Sequence, residues 1–203
     1  MKIVPTTCNM PALHPELMPL LGAEMLFPSS HLSQKAYLMR KNIVRLVDKA
    51  VYEYSYARKA VLDQISEKQR STEELMNGRI IYMFGFTNHM ENCLNSVRRV
   101  LELLKSLKSD PSAPAQDRDR RKTLQRESQS LIKIRNTIEH MGEDIQKGGY
   151  SNNEPVILGL SNDEYSICIG SHSLSFVSLV LVLRELHAEA QSLLGLGSEV
   201  VNA

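Results

Sequence analysis

The sequence predicts an all-α protein: an antiparallel four-helix bundle with a small β-hairpin before its last helix and an irregular N-terminal arm. Three observations carry that expectation. Apolar residues recur at three-and-four spacing in four segments, polar connections separate those segments, and two β-prone runs, VILGL and YSICI, are split by the turn-forming SNDE. A chain of 203 residues holds one domain with an arm, read here as residues 1–33 and 34–203.

The arm carries Pro5, Pro11, Pro15, Pro19 and Pro28, which forbid a long helix, while Leu17, Leu20, Leu21, Met25, Leu26 and Phe27 call for burial. It is expected to lie across the body or across a partner subunit. The same prolines, with Glu16 and Glu24, interrupt any continuous apolar stretch, so neither export nor a membrane span is expected.

From Gln34 to about Lys68, Tyr37, Val44, Val47, Val51, Tyr54, Val61 and Ile65 mark the buried side of a first long helix, with Arg40 and Arg58 as polar exceptions. Ser71-Thr-Glu-Glu74 then matches a capping box and predicts the start of a second helix, antiparallel to the first and running to about Lys108. Its seam is Ile80, Met83, Thr87, Met90, Leu94, Val97, Leu101 and Leu104, in which Thr87 alone is polar. Residues 109–117, SDPSAPAQD, read as a mobile surface loop.

A third helix buries Leu124, Leu131, Ile134, Ile138, Met141 and Ile145 and stops at Gly148-Gly149. The hairpin spans about 155–170 and must pack on the helices, because a lone hairpin is marginal in water. From about Ser173 to Leu194 the apolar positions, Val177 among them, cover more than one face, which marks the last helix as the most buried.

Composition narrows the function classes. With 24 basic and 23 acidic residues, net charge supplies no general attraction to nucleic acid or anionic lipid, so such a partner needs a local patch. One candidate runs from Arg98 to Arg126, with nine Lys or Arg against four acids, although a solvated helix and loop explains it equally well. Cys8, Cys93 and Cys168 are far apart and show no CxxC spacing, which fits a reducing cytoplasm rather than a disulfide framework. No metal or cofactor is expected. His89 and Cys93, four apart on one helical face, could be two zinc ligands, but two ligands alone do not make a site. His187, among apolar residues, reads as a satisfied core histidine, and Tyr52 and Tyr56 as packing residues that would otherwise suit base stacking. Asn88, Asn92, Asn95 and Arg99 form a polar stripe, wet or at an interface.

The stretch RNTIEHMGED, Arg135 to Asp144, is the richest in chemistry. At about 100° per residue, Asn136 and His140 share a face turned away from the seam, and Arg135 flanks it. One account is a solvated helix side with an ordinary Arg135–Glu139 pair. The other begins from the spacing Arg135-Asn136-x-x-x-His140, which resembles the signature of the HEPN superfamily of small helical bundles. That resemblance covers roughly residues 34–194 and leaves the arm and hairpin outside it.

The resemblance implies a homodimer in which two copies of the motif form one composite cleft, and in many members a metal-independent endoribonuclease of toxin or phage-defence type. Arg135 would hold the phosphate, Asn136 would orient it or the histidine, and His140 would exchange the proton of a ribose 2′-hydroxyl, leaving a 2′,3′-cyclic phosphate. RNA and a cognate antitoxin or regulatory protein would be the partners. Glu139, Glu143 and Asp144 crowd the histidine, and Met141-Gly142-Glu143 follows it where nuclease members often place Gly and Tyr or another aromatic residue. The alternative is a non-catalytic helical-bundle dimer acting as a protein-interaction or regulatory module.

Overall fold

A computed structural model describes residues 2, 4–13, 16–26, 31–71, 78–149 and 154–196, with the side chains of residues 24–26 left aside. The described chain is mostly helical: α1 (Leu21–Leu26), α2 (Gln34–Lys68), α3 (Met83–Leu107), α4 (Arg118–Gln146) and α5 (Phe176–Leu193). Between α4 and α5 lie three short strands, β1 (Gly159–Leu160), β2 (Ser166–Ile169) and β3 (His172–Ser175). The fold is therefore not all-α, and the expected hairpin is a three-stranded antiparallel sheet in the order β1-β2-β3.

The extra strand comes from residues expected to begin the last helix. His172–Ser175 pairs with β2 in the register Ser166↔Ser175 to Ile169↔His172, and Ser175 then caps α5 by accepting from Ser178 N at 3.1 Å. Backbone pairing satisfies the amides of this segment before a helix can. Leu174 is buried from the strand, and Val177, expected in the core, is 73% exposed on the first turn of α5.

The helix α2 has the expected bounds, with Ser33 accepting from Ala36 N as its cap. It packs along α3 in an antiparallel pair, shown by contacts that descend one helix while climbing the other: Gln64 accepts from Tyr82 N at 2.8 Å, Glu53 meets His89, and Ser33 donates to Asp110 at 2.9 Å. The helix α3 starts at Met83, well after Ser71; Thr72, Glu73 and Glu74 of the anticipated capping box lie outside the described residues. Ile80 consequently sits before the helix and is 51% exposed instead of joining its seam. Thr87, the polar member of that seam, donates to the Leu158 carbonyl at 2.8 Å and ties α3 to the approach to β1.

Two residues of the 109–117 segment, Asp110 and Ser112, bond to the cap of α2. Asp110 accepts from the hydroxyl and backbone amide of Ser112 and from Ser33, and these bonds hold its carboxyl below the usual carboxylate range, while Ser33 N donates to Ser112 Oγ at 2.8 Å. The helix α4, capped by Asp117, packs mainly on α5 and touches α3 more sparsely; α5 also packs on α2. One continuous core links all of these elements, with Tyr54, Phe86, Met90, Leu131, Ile134 and Phe176 fully enclosed.

The arm lies on the body of its own chain. Met10, Leu13, Leu17 and Leu20 are buried, and polar contacts fasten the backbone between them: Tyr54 Oη and Arg58 Nε donate to the Pro11 and Met10 carbonyls, His187 Nε2 donates to Met18 O at 2.8 Å, and Asp48 accepts from Leu20 N and Leu21 N. His187 is thus the satisfied core histidine that its setting suggested. The N-terminal end is held by Glu164, 3% exposed, whose carboxylate pairs with Lys2 and accepts from the backbone and hydroxyl groups of Thr6 and Thr7.

Candidate functional site

The motif sits in the second half of α4, past the point where the core ends. Leu124, Leu131 and Ile134 are buried, Ile138 and Met141 only half-buried, and Ile145 is 52% exposed, so the apolar seam outruns the body it packs on. Ile145 had been expected inside. Lys147 caps the helix, and Gly148, at φ 70°, supplies the left-handed turn that ends it.

Asn136 and His140 are both exposed, as their phase requires. Arg135 is half-buried and its guanidinium is ion-paired with Glu139 one turn on. His140 Nδ1 stands 4.0 Å from Glu143 Oε1, whose other oxygen is 3.5 Å from Lys147 Nζ. Within one chain, two of the three motif residues therefore share a solvent-facing stripe, while the third faces its neighbouring carboxylate. The hollow between α3 and α4 reaches Gln129 and Ile132, one turn short of Arg135.

Structure brings together a second group that the sequence did not reveal. His89 Nδ1 donates to Glu53 Oε2 at 2.7 Å across the α2–α3 seam, the Tyr56 ring stacks on the imidazole with centroids 5.2 Å apart, and Tyr56 Oη lies 2.5 Å from Tyr52 Oη. Only the Tyr52–Tyr56 spacing was visible beforehand, because Glu53 and His89 meet through helix packing. Tyr52 and Tyr56 are exposed rather than packed inward. Cys93, the other half of the notional zinc pair, is fully buried, and burial pushes its thiol pKa far up, which suits an inert core residue. Among the described residues no group of three His, Cys, Asp or Glu could hold a metal ion.

The polar stripe Asn88, Asn92, Asn95 and Arg99 is exposed throughout. No described helix is long and apolar enough to cross a membrane. No protein-family profile, curated protein or solved structure matches the chain.

Proposed function

We propose that this chain is a HEPN-like, RNA-directed helical-bundle protein that cuts RNA without a metal ion, as a cytoplasmic effector of toxin or phage-defence type, through a composite site at a homodimer interface. The observation that carries the reading is the overhang of α4. Asn136 and His140 project from a helix whose own apolar seam is half-buried at Ile138 and Met141 and exposed at Ile145. A second copy laid along that seam would bury it and set two motifs face to face.

The chemistry then follows from the residue types. The imidazole of His140 in one copy takes the 2′-hydroxyl proton, O2′ attacks phosphorus, and the P–O5′ bond breaks. The second His140 returns a proton to O5′, leaving a 2′,3′-cyclic phosphate and a 5′-hydroxyl. Arg135 must exchange Glu139 for the phosphate, and an ion pair this exposed is worth no more than about 1 kcal/mol, so a dianionic transition state competes for it.

A second reading, a non-catalytic dimeric interaction or regulatory module, is favoured by the Arg135–Glu139 pair itself and by the exposed apolar run Ile80, Ile81 and Phe84. Incubation of the protein with single-stranded RNA in EDTA distinguishes the two. The nuclease reading expects cyclic-phosphate ends, a dimer by light scattering, and loss of cleavage in His140→Ala and Arg135→Ala. Absence of cleavage, or equal cleavage by His140→Ala, leaves the interaction module.

A further inference from the structure

A hollow of about 640 Å³ lies between α3 and α4, within the range of small-molecule sites. Its apolar wall is aliphatic, formed by Leu101, Leu104, Leu124 and Ile132 beside Gln116, Gln125 and Gln129, with no aromatic ring among the lining residues. A planar base would gain no stacking there, whereas a flexible hydrocarbon chain would find methyl and methylene groups along its length.

Polar groups are distributed unevenly around these walls. Arg98 is neutralised by Glu102 at 3.0 Å, and the buried Glu189 by Arg120 at 3.1 Å. The side chains of Lys105, Lys108 and Arg121, which also line the hollow, make no ion pair or hydrogen bond with any described residue, and Arg121 is half-buried. Ser128, 2% exposed, also lines the hollow. The basic residues scattered through the sequence from Arg98 to Arg126 are thereby divided: some are spent on carboxylates, and three converge unspent on one cavity.

We propose that the α3–α4 hollow binds an acyl anion, an aliphatic chain with a single carboxylate or phosphate head. The chain lies along the leucine and isoleucine wall, and the head meets Lys105, Lys108 and Arg121. The hydroxyl of Ser128 donates to a head-group oxygen. This assignment is independent of the RNA reading, since it uses neither Arg135, Asn136 nor His140.

Calorimetric titration of the full chain with dodecanoate, kept below its micelle concentration, tests it. Saturable binding of one dodecanoate per chain is expected, with decyl phosphate also binding, because the head chemistry is shared. Dodecyltrimethylammonium, with the same chain and opposite charge, and acetate, with the head but no chain, should not bind. The double variant Lys105→Glu/Arg121→Glu changes exposed or half-exposed side chains, leaves the core intact, and should weaken dodecanoate by at least about tenfold. Ser128→Ala should weaken it less while retaining the stoichiometry. Binding of several dodecanoates per chain, equal binding of the cationic amphiphile, or indifference to the double charge reversal would overturn the proposal. Tighter binding of adenosine monophosphate than of dodecanoate would also overturn it, and would assign the hollow to a nucleotide.

Discussion

The N-terminal arm and the distal half of α4 both lie at the edge of the molecule, yet they are held by opposite means. The arm has little regular structure, and its backbone is fastened by acidic side chains, the buried Glu164 at one end and the half-buried Asp48 at the other. The end of α4 satisfies its own backbone within the helix, so it can project beyond the core with His140 and Asn136 in solvent. Irregular chain must borrow hydrogen bonds from its surroundings, whereas a helix need not. That difference makes the arm a determinant of stability and leaves the α4 stripe available for function.

The largest expected effect is at Glu164. Replacing it with Ala leaves the Thr6 and Thr7 amides and the Lys2 ammonium without their acceptor and should cost about 3 kcal/mol, read as a fall in the urea midpoint. Burial alone would push this carboxyl up, but the hydrogen bonds from Lys2, Thr6 and Thr7 outweigh burial and hold its pKa well below the ordinary range. A depressed folded-state pKa contributes stability that is complete above the unfolded value of about 4.3 and disappears as pH falls through the folded one. Wild type and Glu164→Gln should therefore differ most above about pH 5 and converge in stronger acid. Parallel stability curves across that window would show that the charge is not what anchors the arm.

A smaller loss is expected at the arm's other end. Asp48→Ala removes the acceptor for two amides at the start of α1 and should cost about 1–2 kcal/mol, with faster hydrogen exchange confined to that end of the arm. Thr87→Val deletes one bond to the Leu158 carbonyl and should cost about 1 kcal/mol in thermal unfolding.

The comparison is sharpest at the small end of the scale. Asn136→Ala and His140→Ala remove exposed side chains and should change stability by less than about 0.5 kcal/mol, while Arg135→Ala loses only a partly exposed i, i+4 pair and should behave alike. A loss above about 2 kcal/mol for any of the three would place that residue among the structural contacts and close the catalytic reading of the stripe.

Much of the helical framework was legible because its information is local. The three-and-four spacing from Gln34 to Lys68 predicts α2 with its bounds, and Gly148-Gly149 predicts the stop of α4. The phase that sends Ile134 inward also sends Asn136 and His140 outward. Where a segment had two locally acceptable states, local pattern was insufficient. His172–Ser175 pairs with β2 instead of opening the last helix, and Asp110 and Ser112 form hydrogen bonds with the cap of α2 that no local spacing announces.

By itself, then, the sequence determined which faces of the long helices are apolar, because helical periodicity needs only the identity of neighbours along the chain. Tertiary structure decided the rest. It set where α4 outruns its core, brought Glu53 to His89 and Glu164 to Lys2, Thr6 and Thr7, and gathered Lys105, Lys108 and Arg121 around one hollow. Each of these depends on residues far apart in sequence, and no local spacing encodes the distance between two helices once they pack.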